Sequence, residues 1–192
     1  MSACSIYLAS KSPRRAELLN QIGVGFELVD VDVPEEHEIN ESAEAFVQRL
    51  ARDKARAGWQ ASAKHYPVLG ADTIVVLNGE ILGKPTTPAD ADAMLAQLSG
   101  QHHTVMTAIA MVDADKEASR LSCSQVFFRE ISEIERKNYV VSGEPLDKAG
   151  AYAVQGLAAV FIERLVGSYS GVMGLPLSET ADLLREFTIQ VI

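Results

Sequence analysis

An apolar segment over residues 6–9 runs directly into small hydroxyl residues and then into Pro13-Arg14-Arg15, so a strand hands over to a helix at a tight corner. Pro13 has a fixed φ and no N–H to lose, which suits the first helical position, and Glu17, Leu18, Leu19 and Ile22 continue with helical spacing. The open N–H groups of such a first turn face the corner. Arg14 and Arg15 add donors that grip phosphate oxygens in pairs, so the corner reads as an anion site. On this segment alone, the two arginines read equally well as solvated charges on an amphipathic helix.

Strand and helix signals alternate beyond that corner, which predicts an α/β fold. The spacing predicts a helix over 14–22, a strand over 26–29, a long helix over 43–61 and a buried strand over 68–77. Asn78-Gly79 reads as a hairpin turn with a return strand at 80–82, and Thr87-Pro88 opens a helix ending at Leu98, with Gly100 just past its last turn. Strands are expected over 101–112 and 121–129, joined through 113–116 as an antiparallel pair. Ser132 with Glu135 forms a capping box for a helix to about Val141. A polar, Gly-rich stretch over 143–156, a strand over 159–165 and a helix over 177–187 complete the chain. Residues 1–192 are expected to form a single domain, one mixed sheet with helices around it, in two lobes with a cleft.

The chain has 192 residues and enough apolar content for a buried core. A net charge of −9 without a lysine–arginine block argues against a nucleic-acid polymer as partner. A few converging cations in an acidic protein suit a small phosphorylated molecule instead. No apolar run approaches the ~20 residues that cross a bilayer, and no signal-peptide pattern is present, so the cytoplasm is the expected location. Cys4 and Cys123 lack metal-type spacing and read as free thiols in a reducing compartment.

Three charged residues break their local pattern. Asp72 lies within Val68-Leu69-Gly70-Ala71-Asp72-Thr73-Ile74-Val75-Val76-Leu77, an otherwise apolar or small run. A carboxylate buried there needs nearby cations, a metal or an open cleft; alternatively Gly70-Ala71 mark a strand end or bulge where Asp72 meets water. Lys54 falls inside the apolar stripe of Phe46, Val47, Leu50 and Ala51, so it reaches a buried anion or a cleft edge, unless its amine snorkels to water. Arg49, Arg52, Asp53 and Arg56 fall on the opposite, solvated face. Lys84, in Gly83-Lys84-Pro85, sits on backbone stiffened by proline. Glu35 and Glu36 belong to an acidic loop over 30–41 that could reach the same corner or simply be solvated. His102 and His103 face opposite sides of a strand and read as ordinary strand residues.

Together, Ser10-x-Ser-Pro-Arg-Arg, Lys54, Gly70-Ala71-Asp72-Thr73, Gly83-Lys84-Pro85, Asp147-Lys148-Ala149-Gly150-Ala151-Tyr152, Gln155-Gly156 and Gly174-Leu175-Pro176-Leu177 resemble the Maf family of nucleoside triphosphate pyrophosphatases, in that family's order. The resemblance implies a Maf/ITPase-like fold, with an elongated mixed central sheet. It also implies hydrolysis between the α and β phosphates with a divalent metal, magnesium or manganese, in nucleotide-pool housecleaning, and a homodimer. Asp72 is then the catalytic carboxylate; Ser10, Arg14, Arg15, Lys54, Thr73, Lys84 and Gln155 bind substrate; and Glu35 with Asp72 holds the metal. Arg14, Thr73 and Gln155 match the specificity positions of the branch acting on dTTP and UTP, and Ala149-Gly150-Ala151-Tyr152 and Gly167-Ser168-Tyr169 favour the same branch. The alternatives are the 7-methyl-GTP branch and a nucleotide-binding regulator of septum formation. One departure stands out: the family commonly has an acidic residue before Glu35, where this chain has Pro34.

Overall fold

The opening corner sets the first half of the fold, in a computed structural model that describes residues 4–191. β1 (Cys4–Ala9) is buried from Ile6 onward and turns through Ser12 into α1 (Pro13–Gln21), with Pro13 in its first turn. β2 (Gly25–Leu28) runs parallel to β1, Leu8 pairing with Leu28. α2 (Ala43–Ala61) starts at Ser42, whose side chain accepts the Ala45 N–H, and leads to β3 (Val68–Leu77), parallel to β1. Parallel neighbours need crossovers, and α1 and α2 provide them.

Phe46, Val47, Leu50, Ala51, Ala55 and Gly58 form the buried stripe of α2. The helix lies so close to the sheet that a Cβ on Gly70 would stand 2.5 Å from both the Ala51 carbonyl oxygen and the Ala55 nitrogen. A Cβ on Gly58 would stand 2.7 Å from Val68 Cγ1. Glycine at these points lets helix backbone meet strand backbone.

β4 (Glu80–Leu82) pairs antiparallel with β3 through Asn78-Gly79, both at positive φ as this hairpin turn demands. α3 (Pro88–Leu98) and α4 (Glu133–Val141) each open on a capping box, Thr87 with Asp90 and Ser132 with Glu135. Between them run β5 (His102–Val112) and β6 (Glu117–Phe128). Short 3-10 turns at Glu144–Asp147, Ala149–Ala151 and Leu157–Phe161 precede β7 (Ile162–Val166), α5 (Tyr169–Met173) and α6 (Leu177–Glu186). The sheet order is β2-β1-β3-β5-β6-β7 with β4 beside β3, a mixed seven-stranded sheet with flanking helices, as expected.

Two strands begin away from the expected residue. β6 begins at Glu117 rather than at 121, because the polar residues of its first part are answered by ion pairs: Glu117 with Arg56, and Arg120 with Glu186. The strand expected over 159–165 begins only at Ile162. Before it, Leu157 and Val160 are exposed while Ala158 and Phe161 are buried, a spacing of three that suits a 3-10 turn and not a strand.

The chain divides into two compact units. The first holds the N-terminal stretch through Asp72, Thr107–Ser122 and the stretch from Gly174 onward, with Ile6, Leu8, Leu19, Leu50 and Leu69 fully buried. The second holds Thr73–Met106 and Cys123–Met173, around a core that includes Val75, Leu95, Leu98, Phe128, Tyr152 and Phe161.

Candidate active site

In the first unit, Gly70 and Asp72 lie two residues apart on β3, so strand alternation turns both toward α2. Asp72 is only 6% exposed, and β3 is continuous through it, so the alternative of a strand end or bulge at Gly70-Ala71 does not hold. Its partner is Lys54, whose Nζ donates to Asp72 Oδ1 at 2.7 Å and to Glu35 Oε1 at 2.6 Å. One ammonium therefore bridges two carboxylates. The amine of Lys54 does not escape to water; its place in the apolar stripe aims it at Asp72.

Arg15 reaches the same electrostatic neighbourhood. Its Nη1 donates to Ser10 Oγ at 2.9 Å and its Nε to the Gly174 carbonyl at 2.9 Å, while Ser10 Oγ also accepts the Ser12 N–H. Burial pushes the guanidinium below its ordinary value; Asp72 opposes that shift, Arg14 adds to it and Glu35 opposes it. The corner is thus held from both ends of the chain, through Ser10 and Gly174. Arg14 is half-buried beside it.

The loop that delivers Glu35 is pinned, not loosely solvated. Arg49 Nε and Nη2 donate to the two carboxylate oxygens of Glu41 at 2.7 and 2.8 Å, and Nη2 donates to the Glu36 carbonyl at 2.9 Å. Glu41 is held at about 2, well below the usual carboxylate range, chiefly by those hydrogen bonds. His37 also packs on Phe46, with ring centroids 5.1 Å apart. The supposedly solvated face of α2 is therefore partly covered: Arg49 clamps the acidic loop, and Arg56 donates to Glu117. Sequence reasoning missed the clamp because nothing local distinguishes a paired arginine from a solvated one.

In the second unit, Thr73 is half-buried on β3 and Lys84 is exposed just after β4. The Gly83 carbonyl beside Lys84 accepts the Gly150 N–H at 3.1 Å, which ties the Lys84 turn to the segment leading to Gln155. Gly150 has φ +67°, and a Cβ there would press on Val75 at 2.9 Å. Gln155 is exposed between buried Val154 and half-buried Gly156. His103 lies on β5 facing the side opposite exposed His102, as expected, and is 1% exposed, its Nε2 within 2.8 Å of Tyr152 Oη.

Glu35 and Asp72 converge on a cation, the Lys54 ammonium, and they are hard oxygen donors of the kind magnesium and manganese take. The residues present therefore fit a divalent ion. No group of three or more His, Cys, Asp or Glu side chains among the described residues is arranged for a metal, so water and phosphate oxygens would complete its shell, as is common for magnesium. Neither cysteine is in a disulfide.

Known proteins resemble this chain in sequence and in fold. A dTTP/UTP pyrophosphatase of Aromatoleum aromaticum is 53% identical over 95% of this chain and 95% of its own length. Another, of Alkalilimnicola ehrlichii, is 54% identical over 96% and 93%. The solved structure of a HAM1 protein from Coxiella burnetii shares the fold, with a TM-score of 0.51 over 96% of this chain and 100% of that one at 17% identity. The family model described as Maf-like protein matches residues 5–187, and with it the chain belongs to the Maf family.

Proposed function

We propose that this chain hydrolyses dTTP and UTP to the nucleoside monophosphate and pyrophosphate, as a cytoplasmic homodimer that clears unwanted nucleotides. The observation that carries the reading is the bridge from Lys54 to Asp72 and Glu35 beside the Arg15 corner. It sets a buried carboxylate among cations suited to a triphosphate. The relatives' names supply the substrates.

Asp72 orients the attacking water and takes its proton as the water oxygen bonds to the α-phosphorus. The bond from that phosphorus to the α–β bridging oxygen breaks, and the electron pair leaves with pyrophosphate. Arg15, Lys54, Lys84, Ser10 and the first-turn amides of α1 hold the phosphates, and positioning with charge neutralisation does most of the work. A divalent ion held by Glu35 and Asp72 supplies further neutralisation of the phosphate oxygens when bound. Arg14, Thr73 and Gln155 are assigned to the base, where guanidinium and amide donors match the carbonyls of uracil and thymine.

The test is turnover of UTP, dTTP and 7-methyl-GTP with magnesium or manganese, read by pyrophosphate release. UTP and dTTP are the expected substrates, and a preference for 7-methyl-GTP would overturn the assignment. Asp72→Asn is expected to lower kcat by about 10²–10⁴ while nucleotide still binds. Near-normal turnover by that variant would remove Asp72 from the chemistry.

A further inference from the structure

Glu144 lies outside every residue assigned so far, yet its carboxylate is built into the turn that carries Gln155. Its Oε2 accepts the Leu157 N–H at 2.9 Å, and its Oε1 accepts the Tyr139 hydroxyl at 2.8 Å. Oε1 also lies 3.5 Å from the Ala158 N, at the open start of the 3-10 turn Leu157–Phe161. A Cβ on Gly156 would fall 2.3 Å from that oxygen, so the carboxylate fills the space a side chain at 156 would need. Gln155 sits immediately before this contact and is itself exposed.

The support is closed on the other side too. The Glu144 carbonyl accepts the Lys148 ammonium at 2.7 Å, and Tyr139 is a buried member of the second unit's core, its ring 5.5 Å from Phe161. Glu144 thus transmits the fixed position of α4 to the backbone at Gln155-Gly156-Leu157. A carboxylate accepting amide N–H groups at a turn start is also favoured electrostatically. Without it, the turn that carries the exposed Gln155 would lose the carboxylate that ties it to Tyr139 of α4.

We propose that Glu144, held by Tyr139, is a positioning residue for base selection: it fixes the backbone of Gln155 so that the side-chain amide meets the pyrimidine edge. This rests on the assignment of Gln155 to the base. Glu144 touches no phosphate, so its loss should act on recognition more than on the chemical step.

The experiment compares kcat and KM for UTP and CTP, which differ at the C4 position an amide would read. Glu144→Ala is expected to raise KM for UTP about tenfold with kcat changed less than about threefold, and to shrink the preference for UTP over CTP by a similar factor. Glu144→Gln should restore both to within about twofold, because its oxygen still accepts from Leu157 while its NH₂ donates to Tyr139. Tyr139→Phe, a milder change, should show the same shift at smaller size, and it carries the test if Glu144→Ala does not fold. Gln155→Ala separates the two claims. If Gln155→Ala leaves the UTP/CTP ratio intact, the base assignment falls and this proposal with it; if Gln155→Ala collapses the ratio while folded Glu144→Ala or Tyr139→Phe preserves it, only the positioning role of Glu144 is overturned. In the double variant Glu144→Ala/Gln155→Ala, the ratio should equal that of Gln155→Ala alone, and additive losses would also refute the coupling.

Discussion

His103 is enclosed by aromatic rings, packed edge-on against Phe128 and Tyr152 at centroid distances of 5.0 and 5.3 Å. Burial, with a smaller push from His102, lowers its value to about 4, and its buried Nδ1 has no hydrogen-bond partner that could receive a second proton. For a base whose folded value lies below the unfolded one, the unfolded chain binds more protons in the window between them. Stability is therefore full above about 6.5 and drains as pH falls from there toward about 4, by up to about 3 kcal/mol. His103→Gln, which keeps a partner for Tyr152 but cannot titrate, should flatten this slope in urea unfolding measured at pH 7.5 and 4.8. Parallel pH dependence in the two proteins would refute the assignment. Strand alternation placed His103 opposite His102 but could not say which side is covered, so its burial was invisible in the sequence. Asp72 and Lys54 were legible for the opposite reason: a charge inside an apolar pattern demands a partner, and each is the other's. Glu35 was legible only as part of a loop that could reach the corner or be solvated, since an acidic loop looks the same whether solvated or clamped; its metal role came from the family resemblance.

Elements with chemical punctuation were readable nearly to the residue. α3 and α4 announced themselves by capping boxes, and the β3–β4 hairpin by Asn78-Gly79. The short 3-10 turns after α4 and the five-residue α5 carry no comparable signal. The close contact of α2 with β3 was also hidden, since Gly70 reads as a strand end when taken alone. Its real duty is spatial, and it governs the site: Ala51 and Ala55, which flank Lys54, are the residues whose backbone meets Gly70. Gly70→Ala would push α2 outward or twist β3, because the new Cβ meets backbone that cannot rotate away. The expected cost is about 1–3 kcal/mol in urea unfolding, together with a fall in kcat as Lys54 and Asp72 are drawn apart. Wild-type stability and turnover in that variant would show the contact to be slack.

At the scale of the whole molecule, two lobes were expected but the boundary between the two units could not be read from the chain, because it falls inside β3, between Asp72 and Thr73, where no linker marks it. Charge, by contrast, was informative. A protein of net charge −9 gathers Arg15 and Lys54 around the buried Asp72 and the exposed Glu35, and that pairing makes a prediction about metal dependence. The Lys54 ammonium already bridges Glu35 and Asp72, so under the proposed function a divalent ion would serve the reaction and not the fold. Chelation with EDTA should therefore abolish turnover while shifting the thermal midpoint by less than about 2 °C. A UTP analogue with a methylene between the α and β phosphorus atoms should behave differently. Bound only by the native state, at a hundred times its Kd it should contribute about 2.7 kcal/mol, a rise of roughly 5–10 °C for a chain of this length, and the rise should require magnesium or manganese. An equal rise with EDTA present would mean that the cations of the chain hold the triphosphate unaided. A large fall in the midpoint on chelation alone would make the ion structural, against the bridge that Lys54 already forms.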